Sequence, residues 1–141
     1  MLYRISSLLA VVLIITSCAP ARGASDKKLE KACLGAVTIM VEDGTELFPQ
    51  NTSFKTEKSH DQLDLRTVMI EARISVNKGA YRVENYTCSF EEKSGPFGVG
   101  YSAKFYRMEM SGMQYGNFDG HIQGEFNDLM KITTAVDDVL L

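Results

Sequence analysis

Met108, Met110 and Met113 place three thioethers within six residues. Thioether sulfur is a soft ligand that favours Cu(I), so this cluster is a candidate copper site. The competing reading is packing, because methionine fills irregular gaps in cores and two of the three share one face of an expected strand. The two histidines each stand among acids: His60 near Asp61 and Asp64, His121 near Asp119 and Glu125. A zinc or hard-metal site needs three or four ligands in a defined geometry, and nothing in the spacing brings these two groups together. No metal site is expected from them, and no cofactor.

The sequence offers no catalytic constellation. It contains no Gly-x-Ser-x-Gly, no His-Glu-x-x-His and no phosphate-cradling loop; the glycines of residues 95–100 lack the Lys-Ser/Thr ending. Glu91 and Glu92 are adjacent, so on a strand they face opposite sides and cannot share acid–base work. No enzyme activity is expected. The formal net charge is -3, with lysines and arginines interspersed among acids and no tryptophan. This balance creates no basic field, which argues against nucleic acid as a partner.

The cysteines are Cys18, Cys33 and Cys88. Ahead of Cys18, Arg4 precedes an unbroken apolar run over residues 8–15. That run is too short to span a bilayer, which takes about 20 apolar residues, and has the layout of a secretory signal. Ile15-Thr16-Ser17-Cys18 resembles the lipobox of bacterial lipoproteins. The resemblance implies cleavage just before Cys18, lipid on its sulfur and attachment to a membrane. Ala19 rather than Asp after that cysteine implies the outer membrane, with the protein facing the periplasm. Thr16 departs from the usual small apolar residue. A competing cut lies at Ala19-Pro20-Ala21, which would leave the protein soluble. With Cys18 lipidated, Cys33 and Cys88 remain as a natural disulfide pair in an oxidising compartment; two buried free thiols are the alternative.

Residues 19–25 read as a short tether of small residues, leaving 26–141 as a single domain. Ser25 is a plausible helix N-cap, and Leu29, Cys33, Ala36, Val37 and Met40 recur at helical spacing. Residues 45–62 look irregular. Residues 66–76 alternate as a strand with one buried face, and Asn77-Lys78-Gly79 signals a hairpin. The return strand runs over residues 80–91. Tyr81 and Val83 are out of phase with Tyr86, Cys88 and Phe90, so a bulge is expected near Glu84 and Asn85. Residues 94–100 form a loop, residues 101–110 a third strand, and residues 111–120 a turn-rich stretch. Helical spacing returns from Glu125 onward. The expectation is an α+β fold: N-terminal helix, three-stranded antiparallel sheet, C-terminal helix.

Two further resemblances follow from these residues. The cysteine-bearing helix, Pro49-Gln50-Asn51-Thr52-Ser53-Phe54, the Asn77-Lys78-Gly79-Ala80 turn and Tyr86-Thr87-Cys88-Ser89-Phe90 together look like small exported and lipoprotein domains of bacteria. That likeness covers roughly residues 26–91, implies the Cys33–Cys88 pairing and implies no activity. Ser111-Gly112-Met113-Gln114-Tyr115 resembles the loop that bacterial lysozyme inhibitors insert into the lysozyme cleft. It implies Ser111 and Tyr115 as contact residues, although those inhibitors are mainly β. The leading expectation is a non-enzymatic lipoprotein of the cell envelope with a structural or binding role. Its partners would be the membrane, through the anchor, and an envelope protein met by aromatic residues around 95–118. A periplasmic lysozyme inhibitor and a copper-binding protein are the alternatives.

Overall fold

A computed structural model describes residues 19–76, 79–95 and 100–141. The expected signal segment with Cys18, the Asn77-Lys78 half of the expected hairpin turn and residues 96–99 of the expected 94–100 loop lie outside the described residues.

The first element among the described residues is α1 (Ala19–Met40). At 1.5 Å per residue its 22 residues span about 33 Å. Leu29, Cys33, Ala36 and Val37 are fully buried, the i, i+4, i+7, i+8 stripe that the spacing predicted. Thr38, a poor helix former, donates its hydroxyl to the Leu34 carbonyl at 2.7 Å. Residues 19–25, read from sequence as a tether, are helical, so Ser25 lies inside the helix rather than capping it.

Six strands follow: β1 (Leu47–Lys58), β2 (Asp64–Val76), β3 (Ala80–Lys93), β4 (Ser102–Met110), β5 (Met113–Phe118) and β6 (His121–Gln123). They form one antiparallel meander in the order β1-β2-β3-β4-β5-β6. The chain closes with α2 (Phe126–Leu140), whose N-cap is Glu125. The α+β class holds, but the expected three-stranded sheet is corrected to six strands.

The missed strands have physical reasons. β1 is an edge strand, which needs no continuous apolar face. Pro49 sits where its register against β2 shifts, and edges and bulges are the places a strand accepts proline. On its helix-facing side Thr52 bonds Glu30 of α1 at 2.7 Å, taking a position where alternation would demand an apolar residue. β5 and β6 were hidden by their turns. Ser111-Gly112 and Asp119-Gly120 both have positive φ at both residues (50° and 77°; 52° and 84°). Those are two-residue hairpin turns whose twist matches that of the flanking strands. A stretch that read as punctuation is two hairpins.

The bulge is also placed differently. β2 and β3 pair without interruption from Leu65↔Glu91 to Val76↔Ala80. Tyr81 and Val83 simply face water, at 52% and 59% exposure. The irregularity falls between Ser89 and Phe90, where β4 carries one extra residue, Tyr106.

Both helices pack together on one face of the sheet. The core joins Leu29, Cys33 and Val37 of α1 to Val68 and Ile70 of β2, Tyr86 and Phe90 of β3, Met108 of β4, and Ile132 and Val136 of α2. Cys33 and Cys88 are bonded through its middle, with Cα atoms 5.7 Å apart. At the other end of α1, Arg22 grips Glu92 of β3 with three hydrogen bonds of 3.0 to 3.1 Å. One helical turn later, Asp26 receives Arg66 of β2 at 2.7 and 3.0 Å. Side chains of Asp26 and Arg66 are only 15% and 14% exposed, so this pair is worth more than a surface bridge. α1 is thus fixed to the sheet by a covalent bond at mid-length and by ion pairs near its start.

Candidate functional site

The chemistry-bearing side chains gather in two places. The first is a cavity of about 270 Å³ between the end of α1 and the β4–β5 hairpin. Met40, Ile74, Arg82, Glu84, Met110 and Met113 are among the residues lining it. The Ser111-Gly112 turn pairs Met110 directly with Met113, so both thioethers stand on the helix-facing side. Glu84 is the polar centre. It accepts Arg82 Nε at 2.7 Å, Tyr86 Oη at 3.0 Å and Ser111 Oγ at 2.9 Å. Burial, followed by the bond to the Glu84 carboxylate, pushes the Tyr86 phenol well above its ordinary value.

The second is a polar row on the sheet face opposite the helices. Thr67 Oγ1 donates to Glu57 Oε1 at 2.8 Å and lies 2.8 Å from Ser89 Oγ. Arg107 of β4 reaches across β3 and β2 to the same Glu57 oxygen at 3.0 Å, with its guanidinium 5.3 Å from the Phe118 ring. Lys55 Nζ holds the other oxygen at 2.9 Å. Thr67 and Ser89 are buried, and each hydroxyl has a partner, as buried polar groups require. Ser89 meets the Thr67 hydroxyl, and the row locks four strands together.

Burial alone would raise the Glu57 carboxyl. Hydrogen bonds from Lys55 and Thr67 and the charges of Lys55 and Arg107 hold it below its ordinary value of 4.5 instead. A carboxylate lowered in the folded state contributes stability above the ordinary carboxylate range. That contribution fades as pH falls through the folded value. Glu57→Gln therefore lowers the urea midpoint most near pH 7, and the gap from the natural chain shrinks below about pH 4. A gap constant from pH 7 to pH 3 would show that the charge of Glu57 contributes nothing.

Each residue singled out from sequence has a definite place. Met108 is fully buried in the core and does not line the cavity, so the expected Met108, Met110, Met113 trio is not one cluster. Sequence reasoning passed over Met40, which does line it; its position at the end of an apolar helical stripe was the available signal. Ser111 is exposed in a tight turn. Tyr115 is only 6% exposed and packs in the core, its hydroxyl 3.4 Å from Met113 Sδ. Ser111 is thus exposed while Tyr115 is buried, so the two side chains are not presented together. No family model matches the chain, and no curated protein or solved structure matches it. Function has to be read from the side chains themselves.

His60 and His121 are exposed in separate elements, and the described residues hold no group of three or more His, Cys, Asp or Glu fit for a metal. Glu91 and Glu92 do face opposite sides: Glu92 bonds the helix, while Glu91 pairs with Lys93 at 3.1 Å. Of the aromatic residues around 95–118, Phe97 lies outside the described residues, and Phe105 and Phe118 are half-buried. Tyr106 and Tyr115 are buried, and Tyr101 donates to Glu92 at 2.8 Å. Large apolar side chains stand in water instead at β6 and α2: Ile122 at 66%, Phe126 at 74% and Met130 at 52%.

Proposed function

We propose that the chain is an exported, lipid-anchored protein of the bacterial cell envelope, attached through Cys18, that works by binding rather than by catalysis. The buried Cys33–Cys88 bond carries this reading. Structural disulfides belong to oxidising compartments, so the bond supports export. It also uses two of three cysteines and leaves the lipobox-like one over. Among the described residues no helix is long and apolar enough to cross a membrane. Membrane attachment would then rest on acyl chains. By analogy with Gram-negative lipoproteins, Ala19 directs the protein to the outer membrane, facing the periplasm.

The clamp at the start of α1 adds a geometric consequence. Cys18 lies four residues before Arg22, at most about 14 Å of extended chain. A lipid on Cys18 would hold the domain close against the bilayer rather than on a long leash. The apolar side chains of β6 and α2 are then the first surface to examine for an envelope partner. Phe126 and Met130 are one helical turn apart and present a single face.

Metabolic labelling with a palmitate analogue tests the anchor. The natural chain is expected to carry label and to sediment with membranes, and Cys18→Ser to lose the label entirely. A natural chain that is unlabelled and released with the soluble periplasm would replace this reading with cleavage at Ala19-Pro20-Ala21.

A further inference from the structure

We infer that the cavity between α1 and the β4–β5 hairpin is a soft-cation site, taking Cu(I) or Ag(I) on the thioethers of Met40, Met110 and Met113. Four observations converge there. The two-residue turn fixes Met110 opposite Met113, and directly opposed residues have Cβ atoms about 5 Å apart, close enough for two flexible thioethers to share one ion. Met40, the last residue of α1, adds a third sulfur to the same cavity from the helix layer.

The second observation concerns charge. The end of a helix carries partial negative charge, and the last turn of α1 contains no basic residue to offset it. Glu42 and Glu84 line the same cavity with one arginine, Arg82, whose Nε lies 2.7 Å from Glu84, so the lining carries one net negative charge. A monovalent cation at neutral sulfur ligands gains from both.

Access is the third. Met110 is 3% exposed whereas Met113 is 49% exposed, so one ligand is built into the wall and one stands at the mouth where an ion enters. The fourth is orientation: the buried Tyr115 hydroxyl lies 3.4 Å from Met113 Sδ, which draws that sulfur toward the protein rather than out into water. An uncharged all-thioether set selects soft cations and rejects Zn(II), Mg(II) and Ca(II).

The site is tested on purified full chain carrying Cys18→Ser, so that no free thiol competes. Cu(I), kept reduced with ascorbate, is titrated against a chromophoric Cu(I) chelator, and Ag(I) is titrated calorimetrically without reductant. One equivalent of each is expected, with no Zn(II) bound. Met113→Leu and Met40→Leu, which conserve volume, are each expected to weaken binding at least tenfold without moving the thermal midpoint by more than a few degrees. Met108→Leu, in the core away from the cavity, is expected to leave affinity unchanged. Absence of Cu(I) and Ag(I) binding overturns the inference, as does binding that survives Met113→Leu or falls equally with Met108→Leu. Binding is measured in solution, so the outcome does not depend on how the chain is anchored.

Discussion

Replacing Cys33 and Cys88 together by alanine is expected to lower stability by about 4 kcal/mol, the chain-entropy value for a loop of 55 residues. The removed sulfurs lie at 0% exposure in the middle of the core, so a void adds to that loss. For a domain whose total stability is on the order of 5 to 15 kcal/mol this is a large fraction. In a thermal melt it corresponds to a drop of about 15 °C. The bond also ties α1 to β3, so the helix is expected to lose amide-exchange protection before the β2–β3 pair does. A double variant melting within a few degrees of the natural chain would show that the core and the Arg22–Glu92 and Asp26–Arg66 clamps hold α1 without the bond.

The second large effect is expected at Gly116. This residue lies in β5, opposite Arg107 and beside the extra residue Tyr106, with φ of 99°. A Cβ there would overlap the Tyr106 carbonyl oxygen and come within 2.8 Å of Arg107 Cα, both rigid backbone. Gly116→Ala must therefore shift β5 away from β4 or break their pairing. A loss of about 3 kcal/mol or more is expected, combining positive-φ strain with the overlap. Gly112→Ala is the matched control. It has φ of 77° but nothing within 4 Å, so it bears the conformational cost alone, about 1 to 2 kcal/mol. Urea unfolding of both variants separates the two effects. Equal losses would mean that crowding at Tyr106 is relieved without cost and that β5 is looser than its register implies.

Gly116 also shows where sequence reading stops. A glycine between turn-like residues is read as part of a loop, yet here it occupies a strand because a neighbouring backbone passes too close for a side chain. The helices and β2 were legible because their burial is one-sided and periodic: Leu29, Cys33, Ala36 and Val37, then Val68, Ile70, Ala72 and Ile74. β1 was not legible, because its helix-facing Thr52 and Thr56 meet Glu30 and Arg66 through hydrogen bonds rather than through apolar packing. The phase change in β3 was visible, but its cause was not. Tyr81 and Val83 lie beyond the helices' cover and face water, with Arg73 stacked 4.3 Å from the Tyr81 ring. An apolar residue on an uncovered face looks the same in sequence as one displaced by a bulge.

The candidate sites divide along the same line. The disulfide partners were legible because only two cysteines remain once Cys18 is set aside. The methionine cavity was half legible. Met110 and Met113 are local in sequence, but Met40 joins them only through the packing of α1 on the sheet, which local spacing does not encode. The Glu57, Thr67, Ser89, Arg107 row was invisible because its members come from four strands at unrelated positions in the chain.

The proposed function requires that the chain leave the cytosol, lose its leader at Cys18 and keep Cys33 and Cys88 bonded. Intact-mass measurement on protein extracted from envelope membranes, alkylated without reduction, tests all three at once. The expected mass starts at Cys18, carries the added lipid, and shows no alkylation, with two alkyl groups appearing only after reduction. A mass for the whole chain from Met1, bearing three alkyl groups without reduction, would contradict it.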